Sequence, residues 1–184
     1  MSNAYTTEEL KEMGVKVGEN VTISRKASIY SPKTIEIGNN VRIDDFCILS
    51  GNIKIGSNVH ISAFTALYGR YGIEIGNYCG CSPRTTIFSG SDDFSGEYMI
   101  SPMVPEEYTN VKGEKVVLKD YVQIGANSIV MPGVTAHEGS CCGSFSFVKK
   151  DLAEWTINGG IPSRKIKDRS KNILNLVEKY EKER

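Results

Sequence analysis

Histidine is scarce in this chain, with only two, His60 and His137, in 184 residues. Two histidines cannot supply three imidazoles to one zinc centre per chain, which argues strongly against that chemistry. An excess of charge of either sign is also lacking, since Lys and Arg total 22 and Asp and Glu total 22. No global field therefore draws the protein to nucleic acid or an anionic membrane, although a local basic patch remains open. No run of about 18 apolar residues occurs, which excludes a helical membrane span. The opening "MSNAYTTEELKEMG" has no apolar core of a secretory leader, so none is expected. The five cysteines are Cys47, Cys79, Cys81, Cys141 and Cys142, and none forms the two-residue-spaced pair that zinc favours. An odd number of such thiols predicts reduced cysteines and a cytoplasmic location.

What is present is a repeat. Aliphatic residues recur at every sixth position: Val17, Ile23, Ile29 and Ile35, then Ile37, Ile43, Leu49, Ile55, Ile61 and Leu67. After a second slip of two come Ile75, Cys81 and Ile87, and later Leu118, Ile124, Val130, Ala136, Cys142 and Val148. Small or β-branched residues sit four positions after these, as in Val21, Ala27, Val41, Cys47, Val59 and Thr65. Glycine often follows the aliphatic residue, as at Gly18, Gly38, Gly56 and Gly76, where it is expected to relieve strain at corners. A period of six matches neither an alternating strand nor an amphipathic helix. It fits short strands joined by tight corners, three sides to a coil, with coils stacked about 4.8 Å apart. Most cysteines fall on or beside inward positions and read as small core residues.

Such a solenoid exposes strand edges at its ends. The segment "TTEELKEMG" has a Thr6 or Thr7 cap, early acids and a closing Gly14, and predicts a short helix over one end. Ile173, Leu174, Leu176, Val177 and Tyr180 have helical spacing and predict a second, closing helix. The expected organisation is a capping helix over 1–14, a repeat domain over 15–165 and a C-terminal helix over 166–184. One irregular stretch, from about 89 to 116, interrupts the hexads. An insertion of that length in a compact domain points to function, with an arm that only clasps a neighbouring subunit as the plainer alternative.

The hexads resemble those of the left-handed β-helix acyltransferases, over about residues 15–165. The resemblance implies an all-β solenoid, a left-handed parallel β-helix, and a homotrimer with prisms side by side. The run Gly160-Ile161-Pro162-Ser163-Arg164-Lys165-Ile166 is similar to the segment that follows the last coil in members using acetyl-CoA. Carried over by position, Ala126 and Ser144 should border the pantetheine of acetyl-CoA or another acyl-CoA. Lys150, Arg164 and Lys167 should face its phosphates, where cations are required. A solvated surface is the plainer reading of those three. No metal is implied.

Many sugar O-acetyltransferases of this family place a histidine base at the start of the protruding loop. Here that place reads Ser89-Gly90-Ser91-Asp92-Asp93-Phe94, without one. An unshifted aspartate, with a pKa of about 3.9, is a poor base for a sugar hydroxyl. An amine with a pKa of about 8 is already about a tenth neutral at pH 7 and chiefly needs orientation. The loop therefore suits an amine acceptor. The stretches "ISRKASIY", "NNVRIDDFCILSG", "ALYG", "SDDFSGEYM" and "VPEEYTNVKGEKVVLK" resemble the branch that N-acylates nucleotide-linked 4-amino-4,6-dideoxy sugars for surface polysaccharides. Within that resemblance Asp93 is the acceptor-positioning residue and possible base, and Asp92, Glu97, Ser82 and Arg84 are candidates to hold the sugar or its diphosphate. Ordinary turn chemistry is the competing reading of the aspartate pair.

His60 keeps an alternative open, an O-acetyltransferase acting on a saccharide hydroxyl. A "VHI" histidine also occurs near the acyl group in some amino-sugar acetyltransferases of this fold. His137 reads as a surface variation. A non-catalytic scaffold is the remaining alternative, because a fold does not dictate a function.

Overall fold

A computed structural model describes residues 3–183 of the chain. The hexads form a parallel β-helix, and every aliphatic series of the sequence becomes an inward ladder. Val17 pairs with Ile37, which continues through Ile55 and Ile75 to Leu118 and Ala136. Ile23, Ile43, Ile61, Cys81, Ile124 and Cys142 stack on the second side. Ile29, Leu49, Leu67, Ile87, Val130 and Val148 stack on the third. Ile43, Leu49, Ile61, Leu67, Ile87 and Ile124 lie among the fully buried side chains. Each contributes about 1.5–3 kcal/mol of burial.

The slips of two have a structural cause. The coil from Val17 to Ile37 is two residues longer than the one from Ile37 to Ile55, and it carries a 3-10 turn at Pro32–Thr34. The coil ending at Ile75 is extended likewise, where the long strand Ala66–Ile75 runs on past its corner.

The glycines that follow the aliphatic residues serve space rather than dihedral freedom. Gly38 and Gly56 are not left-handed, but a Cβ on Gly38 would lie 2.8 Å from the Gly56 carbonyl carbon, and one on Gly56 2.8 Å from that of Gly76. Left-handed residues come two positions later, at Asn20, Asn40, Asn58, Tyr78, Asn127 and Phe145. Asparagine tolerates that conformation better than most side chains, and Asn20 and Asn40 bond along the corner at 2.8 Å. This corrects the expectation that glycine relieves the corner strain.

Helix α1, Thr7–Met13, covers the first coil as expected. Thr6 and Glu9 form a reciprocal capping box, Gly14 ends the helix at φ 97°, and Leu10 is fully buried. The other end differs from expectation. The edge strand Thr156–Gly159 is covered by an antiparallel strand, Arg164–Asp168, which straddles the domain boundary expected at 165/166. Helix α2, Asn172–Lys182, has no buried residue and does not close the end. The chain turns back along one corner instead. The Lys171 ammonium lies 5.4 Å from the Trp155 ring centroid, and the Tyr78 hydroxyl, on a much earlier coil, donates to Glu181. Among the described residues no helix is long and apolar enough to cross a membrane.

Candidate active site

The insertion leaves the third side just after Ile87 and returns to the first side at Val116–Leu118. Its neck is a two-residue antiparallel pairing, Gly90 with Gly113 and Ser91 with Lys112. Below the neck Ser89 is fully buried, and its carbonyl accepts from the Glu114 amide at 2.9 Å. Between the loop and the outer face of the third side lies a cavity of 1090 Å³. Tyr68 and Phe88, in register on adjacent coils, stack at 5.3 Å, and Ile129, Met131 and Phe147 extend that apolar wall. Arg70, Asp92, Glu106 and Asn110 supply its charged and amide groups. An apolar cleft with few convergent polar groups is what a small-molecule site requires.

The two aspartates have different surroundings. Asp93 is committed to the loop itself. Its Oδ1 accepts from the Ser95 amide at 2.7 Å and from the Ser95 hydroxyl, and its Oδ2 accepts from Asn110 Nδ2 at 3.0 Å. The Ser95 hydroxyl bond, then the Ser95 amide, hold its pKa below the usual carboxylate value, with Asn110 and the charge of Lys112 adding to the effect. A carboxylate so stabilised is a weak base. Asp92 is exposed and lines the cavity. Glu97 is exposed further along the loop, its amide donating to Ser95 Oγ at 3.1 Å.

His60 and Ser82 line a different space, an open groove of 460 Å³ on the second side. His60 Nε2 is 2.7 Å from Asp44 Oδ2, and Arg42 Nε donates to Asp44 Oδ1 at 2.6 Å. Partial burial of Asp44 opposes its ionisation, but the His60 and Arg42 bonds prevail and its pKa is lowered. Ser82 Oγ accepts from Gln123 Nε2 at 3.0 Å, and Arg84 stands over the Phe64 ring at the adjoining corner, 5.3 Å from its centroid.

Ala126 and Ser144 occupy that same corner on later coils, where the Phe145 amide donates to the Ala126 carbonyl at 2.8 Å. Lys150, Arg164 and Lys167 are all exposed near the last coil. Among the described residues none of the three has an ion-pair partner, which leaves their charges available to an anion. His137 is half-buried, with Nε2 4.0 Å from Asp151. No group of three or more metal-ligating side chains occurs among the described residues. Burial raises the thiol pKa values of Cys47 and Cys79 to about 11 and about 12, which keeps these cysteines inert.

One chain therefore brings Asp92, Asn110 and Arg70 together but keeps them apart from the His60–Ser82 groove. Sequence reasoning missed Tyr68, Phe88 and Asn110 in the cavity and Asp44 behind His60. The solenoid register signals only the coil, because it places Arg42 directly below His60, with Asp44 two residues further along at the same strand end.

Comparison with known proteins fits this geometry. The family described as bacterial transferase hexapeptide (six repeats) matches residues 34–69. The dTDP-4-amino-4,6-dideoxy-D-glucose acyltransferase of Escherichia coli is 47% identical over 178 residues, covering 94% of this chain and 93% of that protein. AntD, an N-acyltransferase from Bacillus cereus solved with dTDP and 3-hydroxybutyryl-CoA, is 50% identical with a TM-score of 0.96, covering 100% of this chain and 98% of that one. A serine-to-alanine variant of AntD, with dTDP-4-amino-4,6-dideoxyglucose and coenzyme A bound, superimposes with a TM-score of 0.98 over 100% of both chains at 50% identity. An aspartate-to-alanine variant of AntD was solved with dTDP and coenzyme A. The fold is thus the left-handed β-helix, and the chain belongs to the hexapeptide-repeat acyltransferases, in the branch that N-acylates nucleotide-linked amino-deoxy sugars.

Proposed function

We propose that this acyltransferase moves the acyl group of an acyl-CoA, acetyl or larger, onto the amine of a dTDP-linked 4-amino-4,6-dideoxy sugar destined for a surface polysaccharide. The observation that carries the reading is the histidine-free loop, which presents Asp92 to the cavity while Asp93 is tied to Ser95 and Asn110. The neutral amine attacks the thioester carbonyl, the C–N bond forms, and the C–S bond breaks. The amine loses one proton and the departing thiolate of coenzyme A gains one, so no strong fixed base is needed. Asp92, in place of the Asp93 expected from the sequence, accepts a hydrogen bond from the amine and orients it, while Asp93, tied to Ser95 and Asn110, holds the loop in shape. The serine and aspartate substituted in AntD have the same separation as Ser82 and Asp92 here, which supports a shared role for these two. Glu97 and Arg84 remain candidates for the sugar or its diphosphate. Ala126 and Ser144 border the pantetheine, and Lys150, Arg164 and Lys167 bind the phosphates.

A homotrimer completes the site in this proposal. The loop, the His60–Ser82 groove and the coenzyme residues lie apart on one chain, and a neighbouring prism brings them together. The loop leaves Phe94 89% and Met103 88% exposed, and α2 leaves Leu176 58% exposed, as befits surfaces that pack in an assembly. The location is cytoplasmic, where acyl-CoA and nucleotide sugars are held.

The Asp44–His60 pair favours a second reading, O-acetylation with His60 as general base, since a carboxylate partner orients an imidazole for that task. Variants separate the two. Asp92→Ala should cut turnover of the amine acceptor while His60→Ala leaves most of it, and the reverse pattern would favour the hydroxyl reading. Failure of saturating coenzyme A to raise the melting temperature would contradict both.

A further inference from the structure

The loop that presents Asp92 is seated on an aromatic ring. Gly90 and Gly113 face each other in the neck, and a Cβ on Gly113 would lie 2.2–2.3 Å from Cδ2, Cε2 and Cγ of Tyr71. A Cβ on Gly90 would lie 2.8 Å from Tyr71 Cε2 and 2.9 Å from its Cδ2. Neither glycine has a left-handed φ, whereas the nearby Gly72 and Gly96 do. The absence of a side chain at both positions therefore serves the close approach of the ring and not a backbone conformation.

The seat is itself fixed from below. The Tyr71 amide donates to Ser89 Oγ at 2.9 Å, and Ser89 Oγ donates to the Tyr68 carbonyl at 2.9 Å. From above, the Arg70 guanidinium lies 5.5 Å from the Tyr71 ring centroid and reaches Glu106 of the loop at 3.4 Å. Asp92 follows the neck directly, and Asn110, which holds Asp93, precedes it by two residues. Any tilt of the neck is thus transmitted to both aspartates.

We propose that Tyr71 is a positioning residue of the acceptor site: its ring seats the two neck glycines and fixes where the loop presents Asp92. The inference rests on the proposed function for its catalytic consequence, though not for its geometry. Removing the ring leaves the neck unsupported, and adding a methyl group at Gly113 drives ring and neck apart. Both perturbations move Asp92 relative to the amine, and a misplacement of about 1 Å costs up to about a hundredfold in rate.

The test is a double-mutant cycle on the full-length protein with acetyl-CoA and a dTDP-linked 4-amino-4,6-dideoxy sugar. Tyr71→Phe keeps the ring and should stay within about twofold of the parent. Tyr71→Ala and Gly113→Ala should each lower kcat by about 10- to 100-fold while the KM for acetyl-CoA moves by less than about twofold. The double variant should lose no more than the worse single one, because the new methyl group occupies space the ring has vacated. Multiplying losses in the double variant, or an unchanged kcat in Tyr71→Ala, would overturn the proposal. Amide hydrogen exchange at residues 112–114 gives a readout independent of turnover. Faster exchange in both single variants and partial recovery in the double one is expected, and equal protection in all four proteins would also overturn it. If the parent does not acylate the amine, the proposed function fails while the exchange cycle still decides the role of Tyr71.

Discussion

Replacing Ser89 by alanine should loosen the base of the loop by an amount the structure allows us to estimate. Ser89 is fully buried, and its hydroxyl is the acceptor for the Tyr71 amide and a donor to the Tyr68 carbonyl. The two partners lose differently in Ser89→Ala. The Tyr68 carbonyl still accepts from the Ser89 amide at 3.0 Å, so it keeps a donor. The Tyr71 amide loses its acceptor in a part-buried place, and an orphaned donor costs about 1–3 kcal/mol. The loss should therefore be about 2 kcal/mol, or about 4–8 °C in melting temperature for a chain of this length. Urea unfolding at fixed protein concentration measures it, with Ser91→Ala as control. Ser91 Oγ makes only an exposed bond to the Asp92 carbonyl at 3.2 Å, so that control should change stability by less than about 0.5 kcal/mol. Equal stability of the two variants would refute the reasoning, because it would mean that the Ser89 hydroxyl does not support Tyr71.

Further outcomes follow from the buried thiols and from the C-terminal segment. Burial raises the pKa of Cys79 to about 12 and of Cys47 to about 11, while an unfolded thiol titrates near about 8.5. Above that pH the unfolded chain releases protons that the folded chain retains, so stability falls with rising pH, by about 1.4 kcal/mol per such thiol at pH 9.5. Cys79→Ala should unfold in urea with a smaller loss between pH 7.5 and pH 9.5, and an unchanged loss would contradict the assignment. Arg169 donates to the carbonyls of Tyr121 at 2.8 Å and Gly139 at 3.0 Å, and its amide donates to the Trp155 carbonyl at 2.7 Å. Arg169→Ala should release the segment leading to α2, cost about 2 kcal/mol and shift the emission of the single tryptophan to the red. Unchanged emission would show that other contacts hold the segment.

The period of six made the fold legible because inward ladders need a residue of matching size at the same point of each coil. Ile23, Ile43 and Ile61 could be aligned by counting alone, and so could the small residues between them. The corners were less legible. Glycine is permitted by space as well as by dihedral angle, and a sequence does not distinguish Gly38, which meets the next coil, from a glycine in a left-handed turn. The path of α2 was hidden because its amphipathic stripe states that the helix packs on something, not on what. Its tether to Tyr78 joins residues more than a hundred positions apart.

The site was legible in kind but not in detail. The loop, its acidic pair and the missing histidine stand out in the sequence. The division between Asp92 and Asp93 rests first on Ser95, whose amide and hydroxyl both choose Asp93, and then on Asn110, which reaches it from the segment entering the other strand of the neck. The Asp44–His60 pair likewise bridges two coils, and the Tyr71 seat shows in the sequence only as two unexplained glycines.

The most direct test of the central claim is the release of free thiol from acetyl-CoA with two matched acceptors. One is a dTDP-linked 4-amino-4,6-dideoxy sugar and the other its 4-hydroxy counterpart. The account predicts turnover with the amine and none above background with the alcohol. Turnover with the alcohol alone would contradict it, and would make the Asp44–His60 pair the base that the loop lacks.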